Sequence, residues 1–481
     1  TTHIVKLINN KALIGIFGDY DVDGAASTSL LIKFFNKIKQ PFEMFIPDRK
    51  KDGYGPNINT FNNLIKKRVK TIITVDCGTS SYDAINFANK KKIKTIVLDH
   101  HQSDVKLPSA YAILNPNKIS DNSGLNYLCA TSVVFFFLVG LNQKLKKIDW
   151  YKINKITEPN LFNELDLVAL ATICDVMPLI GLNRVFVKQG LKILKKKQNL
   201  GLRALSDICN IQSTPNEHDL GFIFGPRINA GGRLGFSDYG TKLLSTDNIK
   251  IASKLSLKLN DLNEKRREIE EIHLKEIEIK LSNNIKNSVV ILYDKSWHEG
   301  LSGILASRIK DKLNRPIVIL TDNKNYLKAS ARSVHGFDIG SIILKGIKKN
   351  IISHGGGHKM AAGFSIKKAN IDILQNYLNK EFNKVIKDLD FNKKIVADAI
   401  ISSTAINENF YKEINLIAPF GPGNPQPNFI LEKVKVFKFK IINNKHLNLT
   451  LISKNIGPSR LSIFGSVDKT SSSVLHVKTW G

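Results

Sequence analysis

Cysteine is scarce. Cys77, Cys129, Cys174 and Cys209 are far apart and form no Cys-x-x-Cys pair, so neither a zinc site nor a redox couple is expected, and a reduced, cytoplasmic setting fits. No run of about 18 apolar residues occurs, so no membrane span is expected. The start, Thr-Thr-His, carries no basic and apolar leader, so no signal peptide is expected either. A Gly-x-x-x-x-Gly-Lys-[Ser/Thr] loop is missing, which disfavours a P-loop ATPase, and so is the Gly-x-Ser-x-Gly elbow of serine hydrolases. Acidic residues are few, 42 against 71 Lys and Arg, for a net charge of +29 over 481 residues. Such a surplus draws in polyanions, with nucleic acid the natural partner, although richness in Lys, Asn and Ile also follows from an AT-rich genome. The length exceeds one core, so two to four domains are expected.

The few acids are concentrated. Asp19, Asp21 and Asp23 alternate in the heptad Gly18–Gly24, between the apolar run Ala12–Phe17 and an amphipathic segment Ala25–Ile38, which reads as strand, acidic turn, helix. Carboxylates so close repel one another unless a cation sits among them, and Mg2+ or Mn2+ prefers such oxygen ligands. Read alone, the heptad serves equally as a turn that caps the next helix. Two further β-rich runs end in metal-competent side chains: Thr71–Val75 before Asp76, and Lys94–Leu98 before Asp99-His100-His101. Three successive strands would thus deliver ligands to one edge of one sheet. Asp175 follows a helical pattern, Glu164–Ile173, at a break set by Pro178.

Cations cluster with glycine. Arg49, Lys50 and Lys51 precede Gly53-Tyr54-Gly55-Pro56, and Gly225–Gly235 reads as a second glycine-rich loop holding Arg227 and Arg233, whose planar forks suit phosphate. Asn248–Leu281 has a highly charged helical pattern, polar on most faces, and reads as a solvent-bridging connector. A second α/β unit runs from Ser288 through Trp297-His298-Glu299-Gly300. It includes an expected strand, Lys328–Ser333, with Ser330 and Arg332, and the segment Ser353–Gly363 (His354, Gly355, Gly356, Gly357, His358), expected as a tight turn into a small-residue helix. From Ile395 the pattern is β-rich after a Pro/Gly hinge, Ala418–Pro427, suggesting a small barrel or sandwich, with an oligonucleotide-binding barrel as the guess. The tail Lys469–Gly481 is expected to be unstructured or part of a barrel cut short.

Seven motifs now stand in order: GDYDVDG at Gly18, TVDCGTSS at Thr74, LDHHQ at Leu98, ATICDVMPL at Ala171, GPRINAGGRLG at Gly225, HGGGHKMAAG at His354 and PFGPGNPQP at Pro419. Together they resemble the DHH phosphoesterase superfamily and, within it, the RecJ single-strand-specific 5′-to-3′ exonucleases. The resemblance implies an α/β protein: a parallel-sheet DHH domain over 1–240, a long connecting helix over 241–285, a second α/β, DHH-associated domain over 286–390, and a C-terminal β-barrel, an OB-fold, over 391–481, although little sequence follows Phe464 for barrel closure. It implies two divalent cations, Mn2+ or Mg2+, held by Asp19, Asp21, Asp23, Asp76, His100 and Asp175, with Asp99 behind them and His101 acting near the scissile phosphate. Arg49, with Arg227 or Arg233, would grip phosphates, and Ser330, Arg332, His354, His358 and Gly355 to Gly357 would hold DNA. The implied activity is release of 5′-mononucleotides from single-stranded DNA in recombination and repair, by a monomer working with a single-strand-binding protein and a helicase. Rival readings are a phosphodiesterase for short oligonucleotides or cyclic dinucleotides, a family II pyrophosphatase, and a non-catalytic single-strand-binding scaffold.

Overall fold

The computed structural model describes residues 1–49, 51–281, 287–323, 326–385, 396–402, 405–432, 434–442, 446–453 and 461–465; Lys50 and the tail from Lys469 lie outside the described residues. The chain divides into two compact units, Thr1–Asn392 and Lys393–Gly481.

The first unit begins with five parallel strands, β1 (Ile14–Phe17), β2 (Phe42–Phe45), β3 (Thr71–Val75), β4 (Lys94–Leu98) and β5 (Ala112–Leu114), in the order β2-β1-β3-β4-β5. Strands β1 and β3 are buried along their whole length, as expected for a parallel sheet covered on both faces. Their side chains alternate between two cores. Ile14, Ile16, Ile73 and Val75 meet Leu31, Phe35 and Leu138 from helices Val22–Lys37 and Ala130–Lys147. Phe17, Ile72 and Val97 meet Phe61 and Ile85 from helices Ile58–Lys66 and Tyr82–Lys90. Strand order reverses between β1 and β3, and in open α/β sheets the crevice at that point, outside the carboxyl ends of the strands, is where ligands bind. A helical layer follows, in which Leu165–Cys174, Gly181–Leu194 and Leu200–Ile208 share a core with the start of the long helix Ile249–Leu281.

A second sheet contains β6 (Val290–Tyr293), β7 (Ile317–Asn323), β8 (Tyr326–Arg332), β9 (His354–His358) and β10 (Ala361–Ile366), ordered β6-β7-β8-β10-β9, with only β6 and β7 parallel. In the second unit, β11 (Ala399–Ile401) pairs in parallel with β12 (Phe429–Leu431), and β13 (Val434–Ile442), β14 (His446–Ser453) and β15 (Leu461–Gly465) form an antiparallel meander.

Three sequence expectations are corrected. Residues Ser353–Gly363 are not a turn into a helix: they are most of an antiparallel hairpin, with Gly357 paired to Ala362. A Cβ at Gly357 would sit 2.4 Å from the carbonyl oxygen of Ala361, so glycine here serves close strand approach. Gly225–Gly235 is not a loop; Gly225–Arg233 is helical, with Pro226 in its first turn, and a Cβ at Gly232 would lie 2.7 Å from the carbonyl oxygen of Tyr20. Gly232 lets this helix press against the acidic turn. The long helix is not solvent-bridging either: Ala252, Ser256, Leu259, Leu262, Asn263, Glu270, His273, Ile277 and Leu281 are buried against both sheets' helical layers.

Candidate metal centre and arginine cluster

Each acidic residue sits where a strand or helix ends. Asp19, Asp21 and Asp23 follow β1, Asp76 follows β3, Asp99, His100 and His101 follow β4, and Asp175 ends helix Leu165–Cys174. The chain brings them into one pit: His100 Nε2 lies 3.4 Å from Asp76 Oδ1, 3.5 Å from Asp175 Oδ2 and 3.8 Å from Asp23 Oδ2. Three groups of ligand atoms, from Asp19, Asp21 and Asp76, from Asp23, His100 and Asp175, and from Asp76, His100 and His101, each lie within 4.8 Å of one another. Burial first, and then neighbouring carboxylates, push Asp19 and Asp76 well above the usual carboxylate range and Asp175 up to about 9. Burial also lowers His100, which keeps its ring neutral and its nitrogen lone pair available. Among the described residues, Asp19 Oδ1, Asp76 Oδ1 and Asp175 Oδ2 are buried without a hydrogen-bond donor. Facing oxygens that lack donors, with one neutral imidazole, fit a hard divalent cation.

The three acids of the first turn differ in what else they do. Asp21 Oδ1 accepts the Gly24 N–H at 3.0 Å and caps the helix after it, so the capping and metal readings coexist. Asp23 reaches across to the N-terminus of helix Ala130–Lys147: Oδ2 accepts the Ala130 N–H at 2.7 Å, and Oδ1 accepts the Thr131 N–H at 2.8 Å and its hydroxyl at 2.6 Å. Its carboxylate is shared between that helix and the pit.

Asp99 stands behind the pit. Its Oδ1 accepts the His100 N–H at 2.8 Å and lies 2.8 Å from His101 Nδ1, while Oδ2 accepts the Thr79 N–H at 3.0 Å. Against burial, which acts to raise it, the His101 and Thr79 bonds hold Asp99 below the usual carboxylate range. For His101 burial acts to lower the ring, but the Asp99 bond prevails and lifts it to about 9, so an imidazolium faces outward. Sequence reading missed Tyr54, whose hydroxyl donates to the Asp76 carbonyl at 3.2 Å and lies 3.2 Å from His101 Nε2. It also missed Asn115, which donates to Thr79 Oγ1 at 2.9 Å and to the His101 carbonyl at 2.8 Å. Tyr54 and Thr79 were visible inside the quoted motifs, as neighbours of the charged residues. Asn115 directly follows β5, and nothing in the sequence beside it points to its partners.

A cleft of about 1040 Å3 opens beside this network, lined by Tyr54, Gly55, Gly78, Thr79, Asp99 and His101 and also by Gly356 and Gly357 of β9. Arg49, over the Tyr20 ring at 5.4 Å, Arg233 and Arg332 form a cationic cluster: burial first, and then Arg49, lower both Arg233, to about 10, and Arg332. Arg332 Nε donates to Ser307 Oγ at 3.1 Å, and Ser330 Oγ is 3.5 Å from its Nη1. Arg227 stands apart, donating to Asn260 Oδ1 at 3.0 Å and the Ile223 carbonyl at 2.9 Å. Of the two arginines offered, Arg233 is the one that joins Arg49. His354 and His358 are exposed at the two ends of the edge strand β9 and do not line the cleft.

The model of the DHH family, N-terminal domain, matches residues 13–172, that of the DHHA1 domain 286–384, and that of the RecJ OB domain 397–477. The chain is 33% identical over 468 residues to the single-stranded-DNA-specific exonuclease RecJ of Haemophilus influenzae, covering 94% of this chain and 81% of that protein. It is 31% identical to the Escherichia coli protein of the same name, covering 94% and 80%. Among solved structures, RecJ of Thermus thermophilus in complex with Mn2+ superposes with a TM-score of 0.79 at 23% identity, over 99% of this chain and 69% of that one. A manganese-bound exonuclease RecJ gives 0.68 at 26% identity, over 81% and 95%.

Proposed function

This chain belongs to the RecJ family, and from that premise we propose that it is a metal-dependent 5′-to-3′ exonuclease that degrades single-stranded DNA to 5′-mononucleotides in recombination and repair. The observation that carries the reading is the convergence of Asp19, Asp21, Asp23, Asp76, His100 and Asp175 on one pit beside three arginines. Those six would hold two divalent cations, Mn2+ or Mg2+, with Asp23 also fixing the helix at Ala130. Bound there, the cations would supply Lewis-acid charge and lower the pKa of a water molecule. Asp99 fixes the protonated His101 toward the cleft, where it can donate to a phosphate oxygen. Arg49, Arg233 and Arg332 neutralise backbone phosphates, and the bare backbone of Gly356 and Gly357 lets a strand lie close. A non-catalytic scaffold would not need unpaired buried carboxylates, and the OB unit favours a polymer over cyclic dinucleotides.

The deciding assay is Mn2+-dependent release of mononucleotides from 5′-labelled single-stranded and duplex DNA. Stepwise release from the single strand alone is expected. Equal attack on the duplex, or cleavage of dinucleotides only, would overturn the assignment.

A further inference from the structure

Trp297-His298-Glu299-Gly300 is a short turn with no role in the mechanism above, yet it is fixed from two sides and touches the arginine cluster on a third. Toward the long helix, Trp297 Nε1 donates to Glu276 Oε2 at 2.9 Å, and the same oxygen lies 3.2 Å from His273 Nδ1. His273, buried on that helix, takes the His298 N–H on Nε2 at 3.4 Å; one tautomer, protonated at Nδ1, satisfies both contacts. Toward the second sheet, Glu299 accepts from Lys328 Nζ at 2.5 Å and from Asn323 Nδ2 at 3.1 Å. Lys328, Ser330 and Arg332 alternate along β8 and so share one of its faces.

Between these supports, the Gly300 N–H donates to His298 Nδ1 at 3.2 Å, and the Gly300 carbonyl accepts from Arg233 Nη1 at 3.0 Å. A Cβ at Gly300 would lie 2.5 Å from the Arg233 carbonyl oxygen, so the turn and the end of helix Gly225–Arg233 are in backbone contact. Arg233 is half-buried near three other guanidinium groups, those of Arg49, Arg266 and Arg332, and, among the described residues, makes no ion pair with a carboxylate. A neutral carbonyl is what orients it, leaving its charge for an anion.

We propose that this turn is a positioning device: through Gly300 it aims Arg233 at a substrate phosphate, and through Glu276 and His273 it ties that aim to the long helix. The proposal rests on the nuclease reading for the identity of the anion. Holding the second sheet in place thereby becomes a condition for gripping the strand, and Glu276 and His273 act on phosphate binding without touching DNA.

Glu276 is suited to the test because its side chain is 42% exposed and its loss leaves little void. In Glu276→Ala, KM for single-stranded DNA should rise about fivefold or more with kcat within about twofold, because a binding contact made equally in ground and transition states is loosened. Glu276→Gln keeps an acceptor for Trp297 and should restore KM. In an Arg233→Ala background, Glu276→Ala should add nothing, since residues acting through one group are not additive. The same cycle read in EDTA by fluorescence anisotropy, with a short 5′-phosphorylated oligonucleotide, should show the same pattern in Kd. Multiplicative effects in the double variant, or a lowered Tm with unchanged KM and Kd, would make the turn merely structural and overturn the proposal. A wild-type protein that binds the strand without cleaving it would sink the exonuclease reading while the Kd cycle still decides this one. If it neither binds nor cleaves, both fall.

Discussion

Asp76 is held at φ +58, in the left-handed region, with its carbonyl tied to the Tyr54 hydroxyl and its side chain facing four other ligand candidates. Asparagine tolerates that backbone about as well as aspartate, so Asp76→Asn should fold. It should lose at least about 100-fold in hydrolysis, since even an outer partner of a metal ligand costs up to that. Without metal it should melt higher than wild type, because one of several mutually repelling buried carboxylates is gone; a lower Tm in EDTA would count against the crowded acidic pit. Asp23→Ala should behave oppositely. Two N–H groups of a buried helix end lose their acceptor, at about 1–2 kcal/mol, and Tm should fall with or without Mn2+. Asp166 gives a pH test away from the pit. Burial, then Glu164, lifts it to about 7 from 3.8, so between those values the folded chain binds more protons than the unfolded one. Stability from this group is therefore full below about pH 4 and is lost as pH rises toward 7, by about 4 kcal/mol in all. Asp166→Asn should raise the urea midpoint at pH 8 and leave it nearly unchanged at pH 4; an equal gain at both would refute the titration.

Among elements, the strands that end in chemistry were the most legible in the sequence. Thr71–Val75 and Lys94–Leu98 are β-rich runs of Ile, Val, Leu and Thr stopped by Asp76 and Asp99, and they match β3 and β4 end to end. Glycine and alanine carry no such pattern, which is why β9 and β10 read as a turn and helix, and Gly225–Arg233 as a loop. The long helix misled for a different reason: Ser256, Asn263, Glu270 and His273 are polar yet buried, because they bond to neighbours such as Arg266, Arg308 and the His298 backbone. Periodicity counts such residues as solvent-facing. The glycines of β9 can be told apart experimentally. Gly357 is pressed against Ala361 and Ala362, whereas a Cβ at Gly356 would meet nothing within 4 Å. Gly357→Ala should lower Tm; Gly356→Ala should leave Tm unchanged and raise KM by filling the cleft. Equal Tm losses would mean that Gly356 serves packing alone.

At the scale of the whole molecule, the net charge of +29 had pointed to a polyanion, and the distribution now has content: Asp19, Asp21, Asp23, Asp76 and Asp175 gathered in one pit, with Arg49, Arg233 and Arg332 beside it. Single-strand binding should weaken linearly in log salt, by about 0.7 in slope per phosphate contact. Arg332→Ala should flatten that slope by about one contact; an unchanged slope would take Arg332 off the strand's path. Nothing in the sequence could place Gly356 in one cleft with Tyr54, since some 300 residues intervene and only the fold closes that distance. Among the described residues no helix is long and apolar enough to cross a membrane.

The glycine wall of the cleft has a last consequence. Bases are told apart by groups that reach their edges, and a backbone stripped of side chains presents the same amides and carbonyls to all four. Tyr54 in the same cleft adds a ring, and every base has a π-face to lay on it. An enzyme so built would proceed at nearly one pace through any sequence, pausing only where the strand folds upon itself.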